Sequence, residues 1–206
     1  MSSPATVQHS TLLREQHFGI AEGKPWSSDV PSGSERDEDL WARGVFPVLQ
    51  DRQSKFPEGE SLNDLRRRAE KAVEELIMPH VRHAAREGRR GVHVAVVSHG
   101  LCISELVPAL LRKGTGFVGG AKYSGLKNTA WTRVSVDVKV RAFEQIAVFH
   151  DNTYERMQGS KEGEGIEFPD NDPPPFQMHV TDVNQHKHLD NLVCGPSLLL
   201  SSPLHA

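Results

Sequence analysis

The chain has little of several things. Only two of its 206 residues are cysteines, Cys102 and Cys194, far apart in sequence. That excludes a disulfide-dense secreted scaffold and fits a reducing compartment, hence the cytoplasm. No apolar run approaches the roughly 20 residues of a membrane-spanning helix, and residues 1–10 lack the basic-then-apolar plan of a signal peptide. One-sided charge is missing too. The net charge is −3 with both signs interspersed, so the overall field argues for neither nucleic acid nor a membrane as partner. Internal repeats are absent, and no feature encodes an oligomeric state. What remains is enough length and apolar content for one sizeable domain.

The most informative stretch runs from Val92 to Val107. Val92-His93-Val94-Ala95-Val96-Val97 is a short β-branched run. It ends in Ser98-His99-Gly100 and gives way to helical spacing at Ile103, Leu106, Val107, Leu110 and Leu111. This predicts strand, tight turn and helix. In open α/β sheets ligands sit beyond the carboxyl ends of strands, where a helix N-terminus presents free N–H groups to an anion. His99 stands at that junction.

Around this unit the chain has a readable order. Residues 5–13 have the β-branched character of a strand end. The loop from Arg14 to Trp26 carries two glycines and a proline, and Ser27 to Asp39 is polar and reads as a solvated loop. Ser61 is a helix N-cap with Asp64 three residues on. Leu62, Leu65, Ala69, Ala72, Val73, Leu76 and Ile77 then form an apolar stripe that ends or kinks at Pro79. Pro108 can kink the next helix, and Lys113 to Gly120 is a flexible connector. Val134, Val136, Val138 and Val140 alternate with polar residues, the period of a half-buried strand. Phe143 to Phe149 can pair with it, and Phe176 to Val183 reads as a returning strand. The organisation is thus a domain over residues 1–150, an exposed or disordered insert rich in Gly, Glu, Asp and Pro over 151–175, and a last strand of the same domain with a tail over 176–206.

Three loops collect reactive groups: Arg14-Glu15-Gln16-His17, Glu58-Gly59-Glu60-Ser61 and Ser98-His99-Gly100. At one sheet edge they combine an acid-base carboxyl, an imidazole and helix-terminal N–H donors, a set suited to phosphoryl chemistry. Each has a plainer reading beside it. His99 is then a satisfied turn histidine, Glu15 a surface ion pair with Arg14 or a loop hydrogen bond, and Glu60-Ser61 a helix cap and no more. Arg66, Arg67 and Arg68 read as a solvated helix face, and Cys102 as a small apolar helix residue. His80 with His83, and His186 with His188, lack a third ligand at familiar spacing, so no metal or other cofactor is expected.

The segments Leu12 to Trp26, Pro57-Glu58-Gly59-Glu60-Ser61-Leu62 and Val96-Val97-Ser98-His99-Gly100, in that order, resemble the histidine phosphatase (phosphoglycerate mutase-like) superfamily. Asn184 to Leu189 is similar to fungal and TIGAR-type fructose-2,6-bisphosphatase-like members. The resemblance implies a three-layer α/β sandwich around a mixed, mostly parallel sheet. It also implies metal-independent hydrolysis of a phosphomonoester, a small phosphorylated metabolite, through phosphohistidine. Glu15 matches the proton donor and His99 the phosphate-holding histidine, with Gln16, Ser98 and Gly100 lining the substrate site. Arg-His-Gly, which carries the nucleophile, is absent, and no counterpart of the family's Ser-x-Leu-x-Arg segment is identified. Residues 1–150 are therefore expected to be a partial domain lacking its first strand–helix units and inactive as given. The alternative is a pseudophosphatase that binds an anion or a protein partner. A partial sheet exposes apolar edges, so poor stability or aggregation is expected.

Overall fold

A computed structural model describes residues 6–27, 35–116, 123–138, 167–169 and 175–189. Its centre begins at Ser61. The Ser61 hydroxyl accepts from Asp64 N–H at 3.1 Å and the Asp64 carboxylate accepts from Ser61 N–H at 3.0 Å, so two end-of-helix donors are satisfied reciprocally. Helix α2 follows over Leu62–Ala72; α1 is the short helix Asp37–Ala42. Leu65, Ala69 and Ala72 are fully buried, the stripe that the apolar spacing predicts. Pro79 has no N–H and its ring crowds the carbonyl four residues back. The helix responds by widening into a π turn over Val73–Ile77, closed by Met78 N–H on Val73 O, before α3 continues over Met78–Arg86. The expected kink is thus a register change.

Helix α4, Gly100–Leu111, runs unbroken through Pro108 and packs on α2 through Cys102, Leu106 and Ala109. The same core takes Phe176 and Met178 from β4, Phe176–Gln185, which pairs antiparallel with β3, Trp131–Val138. Val134, Val136 and Val138 turn toward that core, as their alternation requires. Gly114 and Thr115, expected in a flexible connector, are instead tied to β4: Thr115 N–H donates to Phe176 O at 2.7 Å. A side chain at Gly114 would sit 2.9 Å from the Met178 side chain, so the close approach needs glycine.

A second, smaller core is aromatic. Phe56 has ring neighbours Trp26, Trp41 and Phe46 at 5.6 to 5.8 Å, and Phe18 meets Trp26 edge-on at 5.0 Å. It is flanked by two-residue strands, β1 (Trp26–Ser27) and β2 (Phe46–Pro47), paired parallel. Asp37, Glu38 and Asp39, expected in a solvated loop, fill the first turn of α1, where the helix end favours negative charge.

Two expectations about strands fail. Residues 6–10 have no regular structure and Thr11–Leu13 is a 3-10 turn. Val92 to Ser98 is not part of any sheet among the described residues. Val92, Val94, Val96 and Val97 are 37–89% exposed. A valine run becomes a strand only where a neighbour takes its N–H and C=O groups, and no described residue does so. The two described sheets are small and one is antiparallel; what they establish is mixed helix and strand. Residues 143–149, most of 151–175 and the tail beyond residue 189 lie outside the described residues. Within the expected insert Phe168 is buried, with the Arg86 guanidinium 4.6 Å over its ring.

The uncovered valines carry a direct prediction. Replacing Val94 and Val97 together with lysine should reduce light scattering of the concentrated chain and leave its melting temperature within a few degrees, because charge on an exposed apolar segment opposes its pairing with another chain. A fall of more than about 8 °C would show that these side chains are packed rather than exposed.

Candidate functional site

The site is built by two loops zipped together beside the start of α4. Glu60 N–H donates to His17 O at 2.7 Å, His17 N–H donates to the Glu60 carboxylate at 3.0 Å, and the Gln16 amide donates to Glu60 O at 2.7 Å. Ile20 N–H reaches Pro57 O at 3.2 Å, and the His17 ring donates from Nδ1 to Glu58 O at 3.0 Å. Gly19 has φ +58°, and a side chain there would lie 2.0 Å from Pro57 O, so the loops close only on glycine.

This zipper aims Glu15 at the N-terminus of α4. Its carboxylate accepts from Leu101 N–H at 3.2 Å, Cys102 N–H at 3.0 Å and its neighbour Gln16 N–H at 3.0 Å. Two orphan donors of the helix end therefore hold a side-chain anion. Of the plainer reading, the ion pair with Arg14 is not formed, since Arg14 lies 3.5 Å from Glu60, but the loop hydrogen bond is, from Gln16 N–H. His99 is the N-cap residue of α4. It makes no side-chain capping bond, and its imidazole is exposed. Gly100 opens the helix, 4.0 Å from Glu15 Oε2 as measured from the place a side chain would start. Ser98 Oγ donates to Leu13 O at 2.6 Å, tying the incoming chain to the same loop. The structure thus gathers Glu15, Gln16, Ser98 and Gly100 at one helix end, with the His99 imidazole beside them. The Gln16 side chain is buried and bonded, and the Ser98 hydroxyl is bonded.

Arg68 is the residue that sequence reasoning missed. Expected on a solvated face with Arg66 and Arg67, its side chain is only 11% exposed. Its Nε and Nη2 grip the Glu60 carboxylate at 2.8 and 2.7 Å. Nη1 donates to Leu12 O and Arg14 O at 2.9 Å each, and Nη2 also reaches Glu15 O at 3.1 Å. Those bonds use all five N–H groups of the guanidinium. A signal existed: Leu65, Arg68, Ala69 and Ala72 fall at i, i+3, i+4 and i+7, which places Arg68 inside the apolar stripe. Glu60, expected as a cap and no more, is the partner that makes this burial tolerable. Burial pushes its carboxyl up. Bonds from Arg68 and His17 N–H, with the charges of Arg68 and Arg14, outweigh that and hold it below the usual carboxylate range.

Ser10, Leu12 and Arg14 do have Ser-x-Leu-x-Arg spacing, counted above as without counterpart. The structure puts Ser10 Oγ on Leu12 N–H as a turn cap and Arg14 beside Glu60, so these residues belong to the glutamate loop itself. Cys102 is fully buried, and burial pushes its thiol up despite Ser98 and Arg68 nearby; it behaves as the small apolar residue expected. His83 pairs with Glu87 at 3.2 Å, while His186 Nε2 lies 2.7 Å from the Lys127 ammonium. Among the described residues no three metal-ligating side chains gather, and no helix is long and apolar enough to cross a membrane. An open hollow lined by Asp51, Arg52, Gln53, Ser54 and Asn63 contains none of the residues singled out above.

Fold and site together define a mixed α/β protein in which an acidic loop and a histidine meet at a helix N-terminus. A model of the histidine phosphatase superfamily (branch 1) matches residues 2–148, most of the chain, and the chain belongs to that superfamily. No curated protein and no solved structure matches it.

Proposed function

We propose that the chain carries the acid and phosphate-holding half of a histidine phosphatase site, directed at a small phosphorylated metabolite, and does not turn it over. The observation that carries this reading is the Glu15 carboxylate seated on Leu101 and Cys102 N–H, one helix turn from His99. Together with the family match, this juxtaposition supports an acid–base role for Glu15 and a phosphate-holding role for His99, with Gln16, Ser98 and Gly100 around them. Phosphohistidine formation needs a second imidazole in a cationic cradle, and the sequence has no Arg-His-Gly to supply it.

In the same reading the fold is the family's three-layer α/β sandwich around a mostly parallel sheet, with Val92 to Ser98 as one of its strands. The chemistry is metal-independent and the compartment cytoplasmic, supported by the scarcity of cysteine. Asn184 to Leu189 supports a fructose-2,6-bisphosphatase-like affiliation. A second reading has its own observation. The Glu15 carboxylate is held by the N–H groups of Leu101 and Cys102 rather than free to deliver a proton, which favours a pseudophosphatase, binding an anion or a protein partner, over a catalyst.

The test is hydrolysis of an aryl phosphate by the full chain, with and without chelator, alongside titration of inorganic phosphate against the His99 ring signals. We expect no turnover, and phosphate-induced shifts of the His99 ring signals that persist or grow in Glu15→Ala, where the N–H groups of Leu101 and Cys102 are freed for the anion. Turnover that survives chelation and is lost in His99→Ala would show a competent catalyst. Activity lost on chelation would replace the reading with a metal-dependent one, and a phosphate-blind His99 would remove the phosphate site.

A further inference from the structure

We infer that Arg68 is a positioning residue for this site, acting through the backbone of the 12–15 loop to set where the Glu15 carboxylate lies. The inference rests on the reading of Glu15 as the acid of the site. The Arg68 guanidinium takes the carbonyls of Leu12, Arg14 and Glu15, while its remaining donors close on Glu60. Glu60 in turn accepts from His17 N–H on the far side of Glu15. Glu15 is thus flanked on both sides by backbone bonds to one ion pair. Its own carbonyl is fixed by Arg68 and its carboxylate by the N–H groups of Leu101 and Cys102.

A point charge cannot do this. The five donors lie in a rigid plane that matches one carboxylate edge on one side and three carbonyls on the other, whereas an ammonium has three donors and no plane. Arg68→Lys therefore keeps the charge opposite Glu60 but frees the loop. The free loop no longer delivers a carboxylate to α4, and Leu101 and Cys102 N–H return to water. The effect on the site is indirect; Arg68 does not touch the reacting atoms.

The experiment is a set of amide proton–nitrogen spectra of the full chain: unmodified, Arg68→Lys and Glu15→Ala. We expect the Leu101 and Cys102 signals of Arg68→Lys to move to the positions they take in Glu15→Ala, while signals from Trp131–Val138 and Phe176–Gln185 stay in place. A folded Arg68→Lys chain with unshifted Leu101 and Cys102 amides would overturn the inference, since a merely structural arginine would lower the melting temperature and leave those two signals alone. If Arg68→Lys does not fold, the unmodified chain still decides. The Arg68 guanidinium protons should exchange with solvent at least about tenfold more slowly than those of Arg66 and Arg67, and equal rates would overturn it. Inorganic phosphate, added to the unmodified chain, separates the two readings. Shifted Leu101 and Cys102 signals in Arg68→Lys with a phosphate-blind His99 uphold the positioning role and remove the phosphate site; the converse removes the positioning role alone.

Discussion

Replacing Glu60 with alanine lowers the unfolding free energy of the chain by about 3 to 5 kcal/mol, measured as a fall in the urea midpoint at neutral pH. The size follows from what is left behind. Arg68, 11% exposed, loses the partner of its charge and keeps only carbonyl acceptors, and His17 N–H loses its acceptor. The dependence on pH has a definite sign. The folded Glu60 carboxyl lies below its ordinary value of 4.5, so its contribution is present above that value and is lost as pH falls through the folded one. Asp64, held low first by Ser61 N–H, and Glu74, held low first by Lys113, act in the same direction. The native chain should therefore be level in stability above about pH 4.5 and fall below it, with a shallower acid limb in Glu60→Ala. A Glu60→Ala chain within about 1 kcal/mol of the original would reduce the Arg68–Glu60 pair to an ordinary surface contact.

Phe56→Ala is the second large effect, again about 3 to 5 kcal/mol. Phe56 is 1% exposed and is the ring that Trp26, Trp41 and Phe46 share. Removing it leaves a hole walled by stiff aromatic groups that collapse poorly. The damage reaches the site because Phe56 O accepts from Gly59 N–H at 2.9 Å, in the loop whose next residue is Glu60. Denaturation followed by tryptophan fluorescence should show the loss, with Phe56→Leu costing clearly less. Equal costs would mean that the loop, and not the ring, was being read.

Several features were legible because the relevant physics is local. Ser61 and Asp64 cap a helix within one turn of chain, and the stripe through Leu65, Ala69 and Ala72 follows from 3.6 residues per turn. The alternation at Val134, Val136 and Val138 needed only the period of a strand. The three loops that resemble the superfamily were also legible as residue types, and the family match agrees with them. Other features were not. Arg66, Arg67 and Arg68 are chemically identical in sequence, and only the opposing loop decides which one is buried. A subtler miss is Val92 to Ser98, whose composition favours a strand but cannot supply the hydrogen-bond partners that make one.

By itself, then, the sequence determined the helix that begins at Ser61, the one-sided strand at Val134 to Val138, the family, and the residue types from which the site is made. The tertiary structure alone decided that Glu15 sits on the N-terminus of α4, that Glu60 is more than a cap, and that Arg68 holds the loop between them. The physical reason is range. Caps and periodicities are satisfied within a few residues, whereas Arg68 and the carbonyls of Leu12, Arg14 and Glu15 are more than fifty residues apart in the chain. Their geometry exists only once α2, α4 and the two loops have packed.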